Sequence, residues 1–221
     1  MSIQKSDLTL EVNGQPVKAY LAAPENGGPG VLLLHAWWGL KPFFKEVCDH
    51  LAEQGFTVLA PDLFAGQVAA TIEAATELAE NSDTRLVGDT VMAAKDALLA
   101  RTGGKIGVVG FSFGAAWSLV AAQYAPDEVA ATVLFYGIYG VDFNKVKSKI
   151  LGHFSDNDEW EPLAGVRAVE TEMKAAGLDV IIHVYPGVSH WFVESDRPEY
   201  APAAASLAWE RTLAFLKENL G

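Results

Sequence analysis

The amino-acid sequence predicts an α/β protein with a mostly parallel central sheet and helices on both faces. From Gly30 onward, short apolar runs alternate with segments of helical periodicity, as in chains that build such sheets. The runs are apolar throughout and do not alternate with polar residues, which is typical of parallel strands covered on both faces. The 221 residues, half of them apolar, suffice for one well-buried core. We therefore predict a single domain over residues 1–221.

The predicted elements begin with a hairpin and continue with the alternation. Leu8 to Val12 and Val17 to Ala23 have the pattern of short strands, and Asn13-Gly14 between them is a hairpin signal. Further predicted strands cover residues 31–34, 57–60, 106–109, 129–136, 150–154 and 180–185. Predicted helices cover residues 44–54, 69–80, 83–101 and 203–219, and a small-residue helical stretch begins at Ala115.

The charge of the chain excludes two kinds of partner. The formal net charge is −12 and no run of lysine or arginine occurs. Nucleic acid and anionic membrane surfaces both need clustered positive charge, so neither is expected as a partner. No apolar run approaches the ~20 residues of a membrane-spanning helix. With a polar N-terminus in addition, we expect a cytoplasmic protein, either a monomer or a small homo-oligomer.

The sequence carries no signal for a cofactor, a metal or a disulfide. Cys48 is the single cysteine, so no intramolecular disulfide can form and no Cys/His cluster has zinc-ligand spacing. The glycine-rich segment 27–30 precedes a predicted strand, whereas phosphate loops and dinucleotide fingerprints follow one. We expect the protein to work without a cofactor and without a metal.

The pentapeptide Gly110-Phe111-Ser112-Phe113-Gly114 is the motif most indicative of function. It follows a predicted strand and opens a predicted helix, which is the context of a serine nucleophile elbow in the α/β-hydrolase fold. The serine of an elbow sits on a sharp turn in strained backbone geometry, and a Cβ at either flanking glycine would collide with a neighbouring strand or helix. Ser112 is therefore the predicted nucleophile, at the carboxyl edge of the sheet.

A serine hydroxyl needs a base within hydrogen-bond reach and a third group that orients the base. In α/β-hydrolases the acid and then the histidine follow the serine along the chain. His190 comes directly after the last predicted strand and is the predicted base. The acid belongs to the loop after residues 150–154, where periodicity leaves Asp156, Asp158 and Glu159 open. The other histidines lie in or beside predicted strands or in a helix, and most of them are expected to be structural; they are His35, His50, His153 and His183.

With these residues in place, the chain resembles the dienelactone hydrolase family of α/β-hydrolases over nearly its whole length. The resemblance rests on five stretches of sequence, namely Leu33–Leu40, Leu51–Leu63, Gly107–Gly114, Tyr185–His190 and Ala208–Leu216. In that family the catalytic aspartate stands four residues before a proline that opens the next helix. The resemblance therefore implies that the acid is Asp158, four residues before Pro162, with Asp156 as the alternative. It also implies an oxyanion hole made by the backbone N–H groups of Trp37 and Phe113.

The chain departs from the family pattern at the residues that bind and regulate. The family's typical nucleophile is cysteine, and the glutamate that regulates it would stand at Ala36. The arginines that hold a substrate carboxylate are also missing, since Glu194 occupies one of their positions and residues 66–80 contain neither arginine nor lysine. An anionic lactone would meet no cation and, at Glu194, an acidic neighbour. A neutral, hydrophobic ester or lactone is therefore the expected substrate.

Aromatic side chains are expected to surround the mouth of the site. The predicted substrate-pocket residues are Trp38, Tyr136, Trp160 and Trp191, and the same region includes Trp37, Phe113, Tyr139 and Phe192. We interpret the chain as a serine hydrolase of small-molecule carboxylic esters or lactones. Two alternatives remain, a thioesterase or acyltransferase with the same triad and a non-catalytic ligand-binding relative.

Overall fold

The computed structural model describes residues 2–221 and contains one eight-stranded sheet. The strands are β1 (Ile3–Val12), β2 (Gln15–Pro24), β3 (Gly30–Leu34), β4 (Thr57–Pro61), β5 (Ile106–Phe111), β6 (Val129–Phe135), β7 (Lys149–Ser155) and β8 (Val180–Tyr185). Their order across the sheet is β1-β2-β4-β3-β5-β6-β7-β8. Strands β3 to β8 pair in parallel, and the β1–β2 hairpin joins the edge in antiparallel orientation through β4.

The predicted hairpin is present, but β1 is longer than its apolar part. It begins at Ile3 instead of Leu8, because pairing with β2 continues to Ile3 opposite Pro24 through a polar stretch at the edge of the sheet. Asn13 and Gly14 form the two-residue turn, with φ of 52° and 77°. A turn of this kind needs positive φ at both central residues, which Asn-Gly supplies at low cost.

Six α-helices connect or flank these strands. They are α1 (Pro42–Glu53), α2 (Ile72–Glu80), α3 (Thr84–Thr102), α4 (Phe113–Tyr124), α5 (Leu163–Ala175) and α6 (Pro202–Leu220), and a 3₁₀ turn covers Phe143–Lys145. Helix α2 begins three residues later than predicted, because the Thr71 side chain caps it by accepting a hydrogen bond from the Ala74 N–H. Within residues 2–221, none of the helices is both long and apolar enough to cross a membrane.

The core consists of two apolar layers separated by the sheet. One layer contains buried residues of α1 and α6, and the other contains buried residues of α3, α4 and α5. Successive residues of β3 face opposite layers, Leu33 toward the first and Leu32 and Leu34 toward the second. The predicted fold class, a mostly parallel sheet with helices on both faces, is confirmed. The carboxyl ends of β5 to β8 lie next to one another, where open α/β sheets bind their ligands.

Candidate active site

Ser112 lies at the turn between β5 and α4 in strained backbone geometry. Its φ of 49° and ψ of −110° fall outside the regions that L-residues ordinarily occupy. The backbone holds this conformation from both sides, because the Ser112 N–H donates to the Phe135 carbonyl at 2.9 Å and the Ser112 carbonyl accepts from the Ala115 N–H at 2.9 Å. Strain of this kind persists where the surrounding structure determines it, often at functional sites.

The two glycines of the pentapeptide are required by space. A Cβ at Gly110 would lie 2.2 Å from the Ser118 Oγ and 2.3 Å from the Gly114 carbonyl oxygen. A Cβ at Gly114 would lie 2.2 Å from the Leu34 carbonyl oxygen. The elbow therefore packs β5 closely against α4, and α4 closely against β3, so that both flanking positions accept only glycine.

Substituting Gly114→Ala is expected to destabilise the protein by about 1–3 kcal/mol or more, because the colliding atom is backbone and cannot move aside as a side chain would. Urea denaturation followed by circular dichroism measures the change. Gly104→Ala is the matched control, since a Cβ there meets nothing within 4 Å and is expected to change stability by less than about 1 kcal/mol. Equal effects of the two substitutions would contradict the packing argument.

His190 and Asp158 form a hydrogen-bonded chain with Ser112. The His190 Nε2 lies 3.1 Å from the Ser112 Oγ, and the His190 Nδ1 lies 2.8 Å from the Asp158 Oδ2. Both the imidazole and the carboxylate are buried. The Asp158 Oδ1 also accepts the backbone N–H groups of Trp160 and Glu161 at 2.9 Å, which fixes the carboxylate. Since an ionised carboxylate can only accept, the Nδ1 carries the proton and the Nε2 is free to accept the serine proton.

The other two candidate acids lie away from the histidine. Asp156 is exposed, and its Oδ1 accepts the backbone N–H of Gly187 at 2.8 Å. Glu159 is exposed as well. Of the three carboxylates that the sequence leaves open, only Asp158 is within hydrogen-bond distance of His190 among residues 2–221.

Both residues of the predicted oxyanion hole, Trp37 and Phe113, line the same cavity as Ser112. The Phe113 N–H opens α4, where the first N–H groups of a helix have no partner in the helix. Within residues 2–221, neither this N–H nor that of Trp37 has a hydrogen-bond acceptor. The loop of Trp37 is held by His35, whose Nδ1–H donates to the Ala36 carbonyl at 2.7 Å while its Nε2 accepts the Leu63 N–H at 3.0 Å.

Burial lowers the pKa of His35 to about 4, so the ring is neutral at physiological pH and can act as donor and acceptor at once. The expectation that His35 is structural agrees with these contacts. The position of His35 directly after β3 indicated a structural residue. The sequence offered no signal that its two ring nitrogens form hydrogen bonds with both the predicted oxyanion loop and the segment after β4.

A cavity of about 240 Å³ opens beside Ser112. Its lining residues are Trp37, Ser112, Phe113, Ala116, Tyr136, Gly137, Ile138, Trp160, Glu161 and His190. Two of the predicted pocket residues, Tyr136 and Trp160, belong to this lining. The other two, Trp38 and Trp191, do not line the cavity, and the prediction is corrected here. They are only 1% and 3% exposed, and the Arg197 guanidinium covers them at 4.3 and 4.8 Å from their ring centres.

Glu194 is not an acidic neighbour of the substrate, which corrects a second expectation. Its side chain is fully buried, and its carboxylate lies 2.7 Å from the Lys41 Nζ and accepts the Tyr136 hydroxyl at 2.8 Å. Burial raises the pKa of Glu194, and the Lys41 ammonium opposes the shift. The Tyr136 ring in turn packs on the His190 imidazole at 4.8 Å between centres. The buried pair of Lys41 and Glu194 thus supports His190 indirectly, through the Tyr136 side chain.

Substituting Lys41→Met is expected to lower the free energy of unfolding by about 3–5 kcal/mol, because it leaves the Glu194 carboxylate buried without a counter-charge. Lys45→Met is the matched control. It removes an exposed ion pair with Asp7, which is expected to contribute at most about 1 kcal/mol. Denaturant unfolding of both variants measures the difference.

The loss in Lys41→Met should also depend on pH. The pKa of Glu194 is higher in the folded protein than in the unfolded chain. Between these two pKa values the folded protein keeps a proton that the unfolded chain has released. The contribution of Glu194 to the free energy of unfolding therefore falls as pH rises from the lower to the higher pKa. Without Lys41 the pKa rises further. The gap in unfolding free energy between Lys41→Met and wild type should therefore be wider at about pH 8 than at about pH 5. A gap independent of pH would contradict this account.

Comparisons with known proteins agree on one family. Residues 17–220 match the model of the dienelactone hydrolase family. The chain is 36% identical over 226 residues to Protein usf of Aquifex pyrophilus, covering 96% of this chain and 97% of the relative. It is 30% identical over 236 residues to a carboxymethylenebutenolidase of Pseudomonas putida, and the match covers 98% of this chain and 94% of the relative.

A solved structure shares the fold. The crystal structure of a dienelactone hydrolase-like promiscuous phosphotriesterase from metagenomic libraries matches with a TM-score of 0.88 at 22% identity, covering 100% of both chains. A likeness at this identity concerns the fold alone, and it confirms the predicted α/β-hydrolase architecture.

Proposed function

The chain belongs to the dienelactone hydrolase family and is a hydrolase of ester or lactone bonds, and we propose that it works through a Ser112-His190-Asp158 triad and an acyl-enzyme. The observation that carries the proposal is the hydrogen-bonded chain from the Ser112 Oγ through the His190 imidazole to the Asp158 carboxylate. We also propose that residues 1–221 act as one domain, because a single sheet carries all three side chains.

In the acylation step, the Ser112 Oγ attacks the substrate carbonyl carbon while the His190 Nε2 takes the hydroxyl proton. The Asp158 carboxylate holds the Nδ1–H and stabilises the imidazolium that forms. Negative charge develops on the former carbonyl oxygen, which accepts hydrogen bonds from the backbone N–H groups of Trp37 and Phe113. The ester C–O bond then breaks, and His190 returns its proton to the leaving alkoxide.

Deacylation repeats these steps with water. The His190 Nε2 takes a proton from water as the water oxygen attacks the acyl carbon, and the same two N–H groups hold the second oxyanion. When the acyl–Oγ bond breaks, His190 returns the proton to Ser112 and the acid product leaves. For a lactone, the leaving alkoxide stays attached to the acyl group, so the product is a hydroxy acid.

The substrate is proposed to lack a negative charge near the reacting carbonyl. Besides the triad histidine, the cavity lining contains four aromatic residues, namely Trp37, Phe113, Tyr136 and Trp160, and neither lysine nor arginine contributes to it. A substrate carboxylate would therefore lose its hydration without gaining a cationic partner. A small hydrophobic acyl group suits a cavity of about 240 Å³, which is below the size of typical pockets for drug-sized ligands.

The test is a comparison of kcat/KM for p-nitrophenyl butyrate and for an anionic ester of similar size, the p-nitrophenyl monoester of glutaric acid. We expect the neutral ester to be hydrolysed at least tenfold faster, with a burst of p-nitrophenol that equals the enzyme concentration if deacylation is slower than acylation. Faster turnover of the anionic ester would overturn the assigned substrate class. Absence of turnover of every ester and lactone tried would favour the ligand-binding alternative.

A further inference from the structure

We propose that the cavity beside Ser112 recognises a positively charged group of the substrate, an ammonium held by the Glu161 carboxylate next to the rings of Trp37 and Trp160. This inference rests on the proposed ester hydrolysis and narrows its substrate class, from an ester without negative charge to one that carries a cation. The cation would belong to the alcohol or the acyl part of the ester, at a position that lies in the cavity when the ester carbonyl contacts Ser112.

Glu161 is the first observation that points to a cation. Its half-buried carboxylate lines the cavity, and its Oε2 accepts the Ile138 N–H at 3.0 Å. Lysine and arginine are missing from the lining, and no ion pair within residues 2–221 involves Glu161. A carboxylate that has lost part of its hydration without a counter-charge is costly to keep ionised, and a substrate cation would supply that counter-charge.

The electrostatic surroundings of Glu161 lead to the same conclusion. Burial raises its pKa, and the negative charge of Asp158 raises it further, whereas the hydrogen bond from the Ile138 N–H lowers it. A cation bound beside the carboxylate would lower this pKa again, because a nearby opposite charge favours the ionised form.

Aromatic faces provide the second observation. Trp37 and Trp160 both line the cavity and pack edge to face, with ring centres 5.1 Å apart and planes inclined by 71°. Tryptophan has the most attractive π face for ammonium groups, and the attraction grows when the cation is removed from water. Trp37 also stacks on Trp191, with ring centres 6.1 Å apart, so the two rings offer an ammonium group aromatic surface beside the Glu161 carboxylate but not two open faces.

Glu161 also has a structural contact, which the choice of variant must preserve. The Ile138 N–H needs an acceptor, and the amide oxygen of Gln can replace the carboxylate oxygen. Glu161→Gln thus removes the charge and retains an acceptor of the same reach. Glu159→Gln is the matched control, because Glu159 lies two residues away, is exposed and does not line the cavity.

The experiment compares butyrylcholine with 3,3-dimethylbutyl butyrate, in which carbon replaces the charged nitrogen. We expect wild type to hydrolyse the choline ester with a kcat/KM about tenfold higher than that of the neutral isostere. Glu161→Gln should lower this ratio at least fivefold, and Glu159→Gln should keep the wild-type ratio. A wild-type ratio of one or below, or the same ratio in Glu161→Gln, would overturn the inference while leaving ester hydrolysis in place. If wild type hydrolyses neither of these esters but does hydrolyse p-nitrophenyl butyrate, the inference is overturned and the proposed function stands; if it hydrolyses none of the three, the proposed function fails as well.

A binding measurement separates recognition of the cation from turnover. Tetramethylammonium should quench tryptophan fluorescence of Ser112→Ala at lower concentration than that of Ser112→Ala/Glu161→Gln, with sodium chloride at equal ionic strength as the reference. Equal quenching of the two proteins would contradict a cation site at Glu161.

The preference for the choline ester should also depend on pH. The other titratable side chains that line or adjoin the cavity are His190, Asp158 and Tyr136. Protonation of His190 stops attack on both esters alike and cancels in the ratio. Because the pKa of Glu161 is raised, its charge is lost at a higher pH than for an ordinary glutamate, so the ratio should fall as pH is lowered through that pKa. Glu161→Gln should show a ratio independent of pH.

Discussion

Ser112→Ala is expected to lower kcat for p-nitrophenyl butyrate by about 10⁶-fold, to the activity that the oxyanion donors and substrate binding retain by themselves. Alanine keeps the Cβ and therefore the strained backbone of the elbow, but it removes the Oγ that lies 3.1 Å from the His190 Nε2. Initial rates at saturating substrate measure the loss. Circular dichroism checks that the variant is folded.

Covalent labelling gives the same prediction an independent readout. Intact mass after exposure to a fluorophosphonate should show one adduct on wild type and none on Ser112→Ala, because only an activated serine attacks phosphorus at an appreciable rate. Ser206→Ala is the control, since Ser206 is an exposed serine of α6 and its removal should leave the adduct in place. An adduct on Ser112→Ala would identify a different nucleophile. The absence of an adduct on wild type would favour the ligand-binding alternative.

Asp158→Asn is expected to lower kcat by about 10⁴-fold without unfolding the protein. The amide can donate a hydrogen bond to the His190 Nδ1, which favours the tautomer with the proton on Nε2, and that nitrogen can then no longer accept the Ser112 proton. The amide also lacks the charge that stabilises the imidazolium. The remaining amide oxygen can still accept the backbone N–H groups of Trp160 and Glu161, so the loop should keep its conformation.

Asp156→Asn is the matched control for this prediction. It makes the same chemical change two residues away, at an exposed carboxylate whose hydrogen bond to the Gly187 N–H an amide oxygen can replace. We expect kcat within about threefold of wild type. If Asp156→Asn lost activity and Asp158→Asn kept it, the acid would be Asp156, and the hydrogen bond between Asp158 and His190 would not serve the reaction.

The elements that the sequence predicted correctly are those whose structure depends on neighbours along the chain. The Asn13-Gly14 turn and Gly110 belong to this group, because the turn needs positive φ and a Cβ at Gly110 would meet Gly114 and Ser118 of the adjoining helix. The apolar strands were recognisable since both faces of the sheet are buried. The ends of the strands were less predictable. Strand β1 begins with polar residues, because its pairing with β2 continues beyond its apolar residues.

The pocket was predicted less well, because aromatic residues in a loop carry no signal for the direction of their side chains. Trp160 and Tyr136 line the cavity, whereas Trp38 and Trp191 are buried under Arg197. Glu161 was missed altogether. A carboxylate in an acidic loop has the same appearance in the sequence whether it faces solvent or a substrate.

The sequence by itself determined the fold class, the elbow at Ser112 and the position of a histidine after the last strand, because the succession of strands and helices along the chain and the geometry of turns follow from short-range pattern. The tertiary structure decided the order of the strands across the sheet, which tryptophans reach the cavity, and that Lys41 neutralises Glu194 from 153 residues away. It also brings Asp158 to His190, a pairing that periodicity left open and the family resemblance implied. These contacts join loops that are distant in the chain, and their directions depend on packing and hydrogen bonds that only the folded protein brings together.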